Sequence, residues 1–266
     1  MRFHNKRVWQ VLDANEAARR AYKHILARPT AQDIARNVVC LLLWLETIRR
    51  VSVLNQVAAM AADALDQVVT EANAIHGYLL HGGALPEAGV PAIVALCGGG
   101  RLVDLRFFAF HRDLVARGVA MVRDTVAALV FDDGLHEAMR RFEDEMEELQ
   151  DAKPDPDPAL MAAYGARAAA ARTPPEDSRT AFVTFPSCHP LSAQDILDYF
   201  ERRLHFGRCI DHVATERAED AGQAPRHGVI VFGSPELRDQ VMFHETAAFF
   251  VVKGHDMWVQ AYEPPH

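Results

Sequence analysis

Thr180-Ala181-Phe182-Val183-Thr184-Phe185-Pro186 is the stretch on which the fold class turns. The run is β-branched and aromatic and is stopped by proline, so it reads as a strand. Alternation sends Ala181, Val183 and Phe185 toward covering helices and Phe182 and Thr184 to the opposite face. Downstream, Leu191 to Leu204 has helical spacing, with Ser192 and Asp195 as a capping box and Ile196, Leu197, Tyr199 and Phe200 as apolar positions. Arg208 to Thr215 and Gly228 to Phe232 read as the next two strands. Ser234-Pro235-Glu236 opens a second helix, serine capping and proline at the first helical position. Phe249 to Val252 and Met257 to Tyr262 close the segment as strands.

That order, strand–helix–strand–strand–helix–strand, predicts a ferredoxin-like βαββαβ domain over residues 178–266. Upstream the periodicity changes. Trp9 to Leu26, a helix after Pro29-Thr30 carrying Ile34, Val38, Leu41, Leu42, Leu45 and Ile48, and Ser52 to Leu80 all repeat apolar residues every three or four positions. A loop through Pro91, an apolar segment ending in Gly98-Gly99-Gly100, and helices from Leu105 to Val130 and Leu135 to Leu149 follow. Residues 1–150 are therefore expected to form an antiparallel helical bundle. Residues 151–177, rich in proline and alanine, read as a linker.

Composition narrows the function. Of 266 residues, 50% are hydrophobic and 24% charged, which suits a globular chain with a sizeable core. The longest apolar run, Val38 to Leu45, is too short for a membrane span, and no secretory leader is evident at the N-terminus. The four cysteines are scattered without a C-x-x-C pair, which implies reduced thiols and a nuclear or cytoplasmic protein. No metal-ligand spacing and no cofactor motif is found, and Gly98-Gly99-Gly100 lacks the strand and lysine of a phosphate loop. Nothing assembles a nucleophile, a base and an orienting group, so neither an enzyme nor a small-molecule substrate is expected. The net charge of −8 is unevenly spread: residues 1–50 hold ten Lys/Arg against four Asp/Glu, and residues 176–266 hold eight against fourteen.

The C-terminal segment resembles the RNA-recognition motif family. The first family motif maps onto Ala181 to Pro186. The second maps onto Pro225-Arg226-His227-Gly228-Val229-Ile230-Val231-Phe232, which agrees at Gly228, Ile230 and Phe232, while the two outward aromatics have become His227 and Val229. Gly254 to Val259 fits the closing strand, with Met257 and Val259 inward and Trp258 outward. The whole chain also resembles plant proteins that pair a helical N-terminal region with such a domain.

The resemblance implies an open sheet face on which Phe182 and Trp258 emerge as stacking platforms for single-stranded RNA. Thr184, Arg226, His227, Val229 and Gln260 complete the expected nucleic-acid-binding set. Two alternatives remain at this point. Phe182 can instead be covered by the C-terminal tail or by the helical region, and Trp258 can anchor a partner protein, because tryptophans dominate interface energetics. On the second view the degenerate domain is a protein–protein interaction module.

Overall fold

The computed structural model describes residues 6–49, 51–99, 103–148, 157–165, 174–203, 208–217 and 224–264. It has a helical N-terminal region and a C-terminal five-stranded antiparallel sheet. Compactness divides it into two units built from interleaved stretches. One is Met1–Gly98 with Val115–Arg172 and Pro265–His266; the other is Gly99–Leu114 with Thr173–Pro264.

The helical unit contains α1 (Val8–Ala14), α2 (Glu16–Leu26), α3 (Gln32–Arg49), α4 (Val53–Ala58), α5 (Ala62–His81) and α6 (Pro91–Leu96). Its core centres on α3, where Val38, Leu41, Leu42, Trp44, Leu45 and Ile48 are buried. The stretch read as one helix from Trp9 to Leu26 is broken at Asn15. Its backbone leaves helical geometry (φ −118°, ψ 22°) and its side-chain Nδ2 donates to the Val11 carbonyl at 2.8 Å, the competition with the main chain that asparagine brings to a helix. The stretch from Ser52 to Leu80 is likewise two helices, α4 and α5, parted at Ala59–Ala61. Glu71 of α5 is buried and accepts the Ala92 and Ile93 amides at 3.1 and 2.9 Å, which satisfies donors at the start of α6 that no capping residue reaches.

The stretch from Leu105 to Val130 is three helices: α7 (Leu105–Phe110), α8 (Arg112–Asp124) and α9 (Val126–Val130). The first belongs with the sheet; α8 belongs to the helical unit from Val115 onward, and α9 lies wholly within it. α10 (Asp133–Glu148) and α11 (Pro158–Met161) complete the helical unit. α11 lies inside the segment read as a linker, with Leu160 buried against Val8, Val11 and Leu12 of α1. Residues 151–156 and 166–173 of that segment lie outside the described residues.

The sheet unit contains β1 (Thr180–Thr184), α12 (Ala193–Arg203), β2 (Ile210–Thr215), β3 (His227–Phe232), α13 (Pro235–Val241), β4 (Ala247–Val252) and β5 (His255–Ala261). The strands lie in the order β2-β3-β1-β5-β4, every neighbouring pair antiparallel. Ala181, Val183, Ile230, Phe232, Phe250, Val252, Met257 and Val259 join Ile196 and Phe200 of α12 in one core on the helix-covered face. Both helix starts are capped as their sequences imply. The Ser192 and Asp195 side chains accept each other's backbone N–H at 3.1–3.2 Å, and Ser234 Oγ accepts the Leu237 amide at 3.2 Å. At Gly228 a Cβ would stand 3.0 Å from the Ala214 carbonyl oxygen of the adjacent strand, so a side chain cannot be added there without moving backbone.

Candidate functional site

The face of the sheet opposite the helix-covered core carries Phe182 and Thr184 of β1, His227 and Val229 of β3, Trp258 and Gln260 of β5, and Phe249 and Val251 of β4. Register places Phe182 between Val229 and Gln260, Thr184 between His227 and Trp258, and Phe249 opposite Trp258.

The chain itself fills half of this face. α7 lies over β3 and β1, and Phe107 packs against Phe182 with ring centroids 5.2 Å apart. His111 meets the same ring edge-on at 4.8 Å, and Tyr262 flanks it at 5.5 Å. Phe182 is left with no exposed surface, so the expected open platform is closed.

Asp104 fixes the covering segment. Its Oδ1 accepts the Phe107 amide at 2.8 Å, capping α7, and meets His227 Nε2 at 2.9 Å. Its Oδ2 accepts from Arg226 at 3.3 Å. Burial works to raise the Asp104 carboxyl, but His227, the Phe107 amide and Arg226 outweigh it and hold the group below its ordinary value. A second clamp is Glu216, after β2. It accepts Arg106 Nε and Nη2 at 3.1 and 2.7 Å, and the Arg226 and His227 amides at 2.8 and 3.1 Å. His111 is buried, and burial, with a smaller contribution from the His227 ring beside it, pushes its pKa well down. The covering segment is thus anchored by fork-shaped, charge-assisted bonds and by three packed rings.

Among the described residues, the other half of the face is left uncovered. Phe249 is 54% exposed, Val251 50% and Trp258 41%, and the Phe249 and Trp258 ring centroids lie 6.5 Å apart. Together these side chains make an apolar strip across β4 and β5, with exposed Asp256 opposite Val251. Such clustering differs from the single exposed apolar residues that any surface carries.

No protein-family model, curated protein or solved structure matches this chain.

The seven residues expected to hold RNA therefore separate into two environments. Phe182 and His227 are fully enclosed, Thr184 and Gln260 are buried, and Val229 and Arg226 are half-buried around the covering segment. Only Trp258 stands well exposed, and its exposed neighbours are Phe249 and Val251, which motif comparison had no reason to select. The usable signal was that both belong to a strand with its polar-facing positions filled by apolar side chains. Among the described residues, no three His, Cys, Asp or Glu side chains converge as a metal site, and no helix is long and apolar enough to cross a membrane.

Proposed function

We propose that this chain is a protein–protein interaction module whose C-terminal unit is a degenerate RNA-recognition motif with the ferredoxin-like βαββαβ order. The extra edge strand β4 enlarges its sheet. The Phe249–Val251–Trp258 strip docks a partner protein segment that presents apolar side chains beside basic ones. The observation that carries this reading is the division of the face: rings of the chain itself occupy the platform at Phe182, while an aromatic pair and a valine on the next two strands, β5 and β4, remain exposed. Exposed Asp256 at the strip, and the acidic excess of residues 176–266, favour a basic flank on the partner. Acidic surface also argues against single-stranded RNA on the same rings, because phosphate neutralisation supplies much of RNA affinity.

The test pairs two probes on the full-length chain. A displayed random-peptide library is expected to yield apolar, Lys/Arg-flanked binders whose affinity falls by about 1.5–3 kcal/mol, roughly 10- to 150-fold, in Trp258→Ala. Mixed-sequence single-stranded RNA, titrated by anisotropy at two salt concentrations, is expected not to bind below high micromolar. Micromolar, salt-sensitive RNA binding lost in Trp258→Ala would overturn the reading in favour of RNA.

A further inference from the structure

The two edges of the sheet are built differently. β2 is protected: its register slips between Ile210 and His212, and exposed Asp211 and His212 lie at the irregularity. Bulges and charges of this kind discourage another strand from adding. β4 has none of these devices. Ala247-Ala248-Phe249-Phe250-Val251-Val252 contains no charge, proline or glycine, and its pairing with β5 runs without a slip over all six residues. A short, uncharged strand of high β-propensity on an open edge is a template for further pairing.

Hydrogen-bond phase says which groups of β4 are available. The Ala261 amide donates to the Thr246 carbonyl at 2.9 Å. The β4–β5 hairpin closes through Lys253 and Gly254, both with positive φ (51° and 80°), the two-residue turn that sets Val252 and His255 as a hydrogen-bonded pair. Antiparallel pairs alternate between bonded and non-bonded. Thr246, Ala248, Phe250 and Val252 therefore direct their backbone groups at β5, while Ala247, Phe249 and Val251 direct theirs out of the sheet. These three are also the residues whose side chains lie on the bare face.

We propose that β4 pairs with β4 of a second copy of this chain, antiparallel about a two-fold axis through Phe249, to make one continuous ten-stranded sheet from two five-stranded ones. In this register Phe249 bonds to Phe249 of the second copy, and Ala247 bonds to Val251 in both directions. All three outward residues are satisfied at once, and a shift by two positions in either direction leaves one of them unmatched within the strand. The same register brings Glu245, just before the strand, near Lys253 of the second copy, just after it, at both ends; Lys253 also pairs with Asp195 of its own chain, so it would be shared between the two carboxylates. Self-complementarity of edge, face and charge in one register marks a copy of this chain as the occupant. The two apolar strips then join side by side. This inference concerns the edge of β4 and does not depend on what docks against the face.

The test is the mass of the full-length chain by sedimentation velocity over a concentration series, in reducing buffer so that exposed Cys188 forms no cross-link. A dimer is expected for the wild type and for Trp258→Ala, since that ring belongs to the face and not to the edge. Ala247→Pro removes an outward N–H and leaves the β4–β5 bonds intact, and a monomer is expected. Should Ala247→Pro fail to fold by circular dichroism, the charge pair decides. Glu245→Lys, which sets a like charge against Lys253 of the second copy and leaves the Lys253–Asp195 pair in place, is expected to weaken the dimer about three- to tenfold. A wild type monomeric throughout overturns the proposal, as does a dimer indifferent to these edge changes. A dimer lost on Trp258→Ala overturns it in favour of face-to-face association. Loss of peptide binding with the dimer intact instead removes only the docking reading above.

Discussion

Asp104 shows how much of the sheet unit rests on one carboxylate. It caps α7, partners the enclosed His227 ring and pairs with Arg226, linking residues more than a hundred positions apart in sequence. Asp104→Ala is expected to lower stability by about 2–4 kcal/mol, from a lost cap and an enclosed imidazole left unsatisfied. Urea unfolding would show this as an earlier midpoint. A midpoint unchanged within error would mean that the covering segment contributes nothing to stability. The outward direction of Phe182 was legible in strand alternation, and so were the Ser192–Asp195 and Ser234 caps. That Phe182 can be covered from the helical region or the C-terminal tail was also legible, but not which rings it would meet. Phe107 and His111 sit within a helical apolar pattern that continues through α8 and α9, and periodicity does not tell which sheet or helix a ring will touch. The one local sign was Asp104 just before Leu105, an N-cap residue opening a helix of its own.

At the scale of elements, α7 is held to the sheet by rings that include a histidine, and this makes its attachment depend on pH. Enclosure lowers the pKa of His111 well below 6.5, so the folded state keeps the ring neutral while an unfolded or detached segment can protonate it. The stability this ring contributes is therefore fully present above about pH 6.5 and is lost as pH falls below that value toward the depressed folded pKa. Asp104 is depressed too, but its contribution fades only below the ordinary aspartate value of 3.8, so it does not cancel the effect between the two. The protection of the amides of Leu105 to His111, measured as hydrogen exchange relative to an intrinsic rate that itself slows with acid, is expected to fall between pH 7 and 5. His111→Phe, which stacks without titrating, should flatten that dependence. His76 and His136 are also depressed by burial and add to global acid sensitivity, which is why a probe confined to this segment is needed.

For the whole molecule, the lesson lies in where the units begin and end. Chain order suggested a bundle over residues 1–150 followed by a separate domain, because helical and strand periodicities change near that point. Compactness instead groups Gly99–Leu114 with Thr173–Pro264. A sheet whose outward residues include Phe182 and Val229 has apolar surface on the face its own two helices do not cover, and a segment from elsewhere in the chain covers that part of it. The nearest supply in this fold is α7. A fragment beginning at Thr173 is thus expected to expose Phe182 and His227 and to leave Glu216 without Arg106. Losing the buried Phe107 ring alone is worth about 3–5 kcal/mol, a large part of the stability of a domain this size. The fragment should bind a hydrophobic dye, aggregate and unfold at lower temperature, and a synthetic peptide spanning residues 99–114 should reverse these changes in trans. If the fragment instead folds cooperatively without dye binding or any response to the peptide, α7 is a passenger on the sheet, and the closure of the Phe182 platform loses its physical cause.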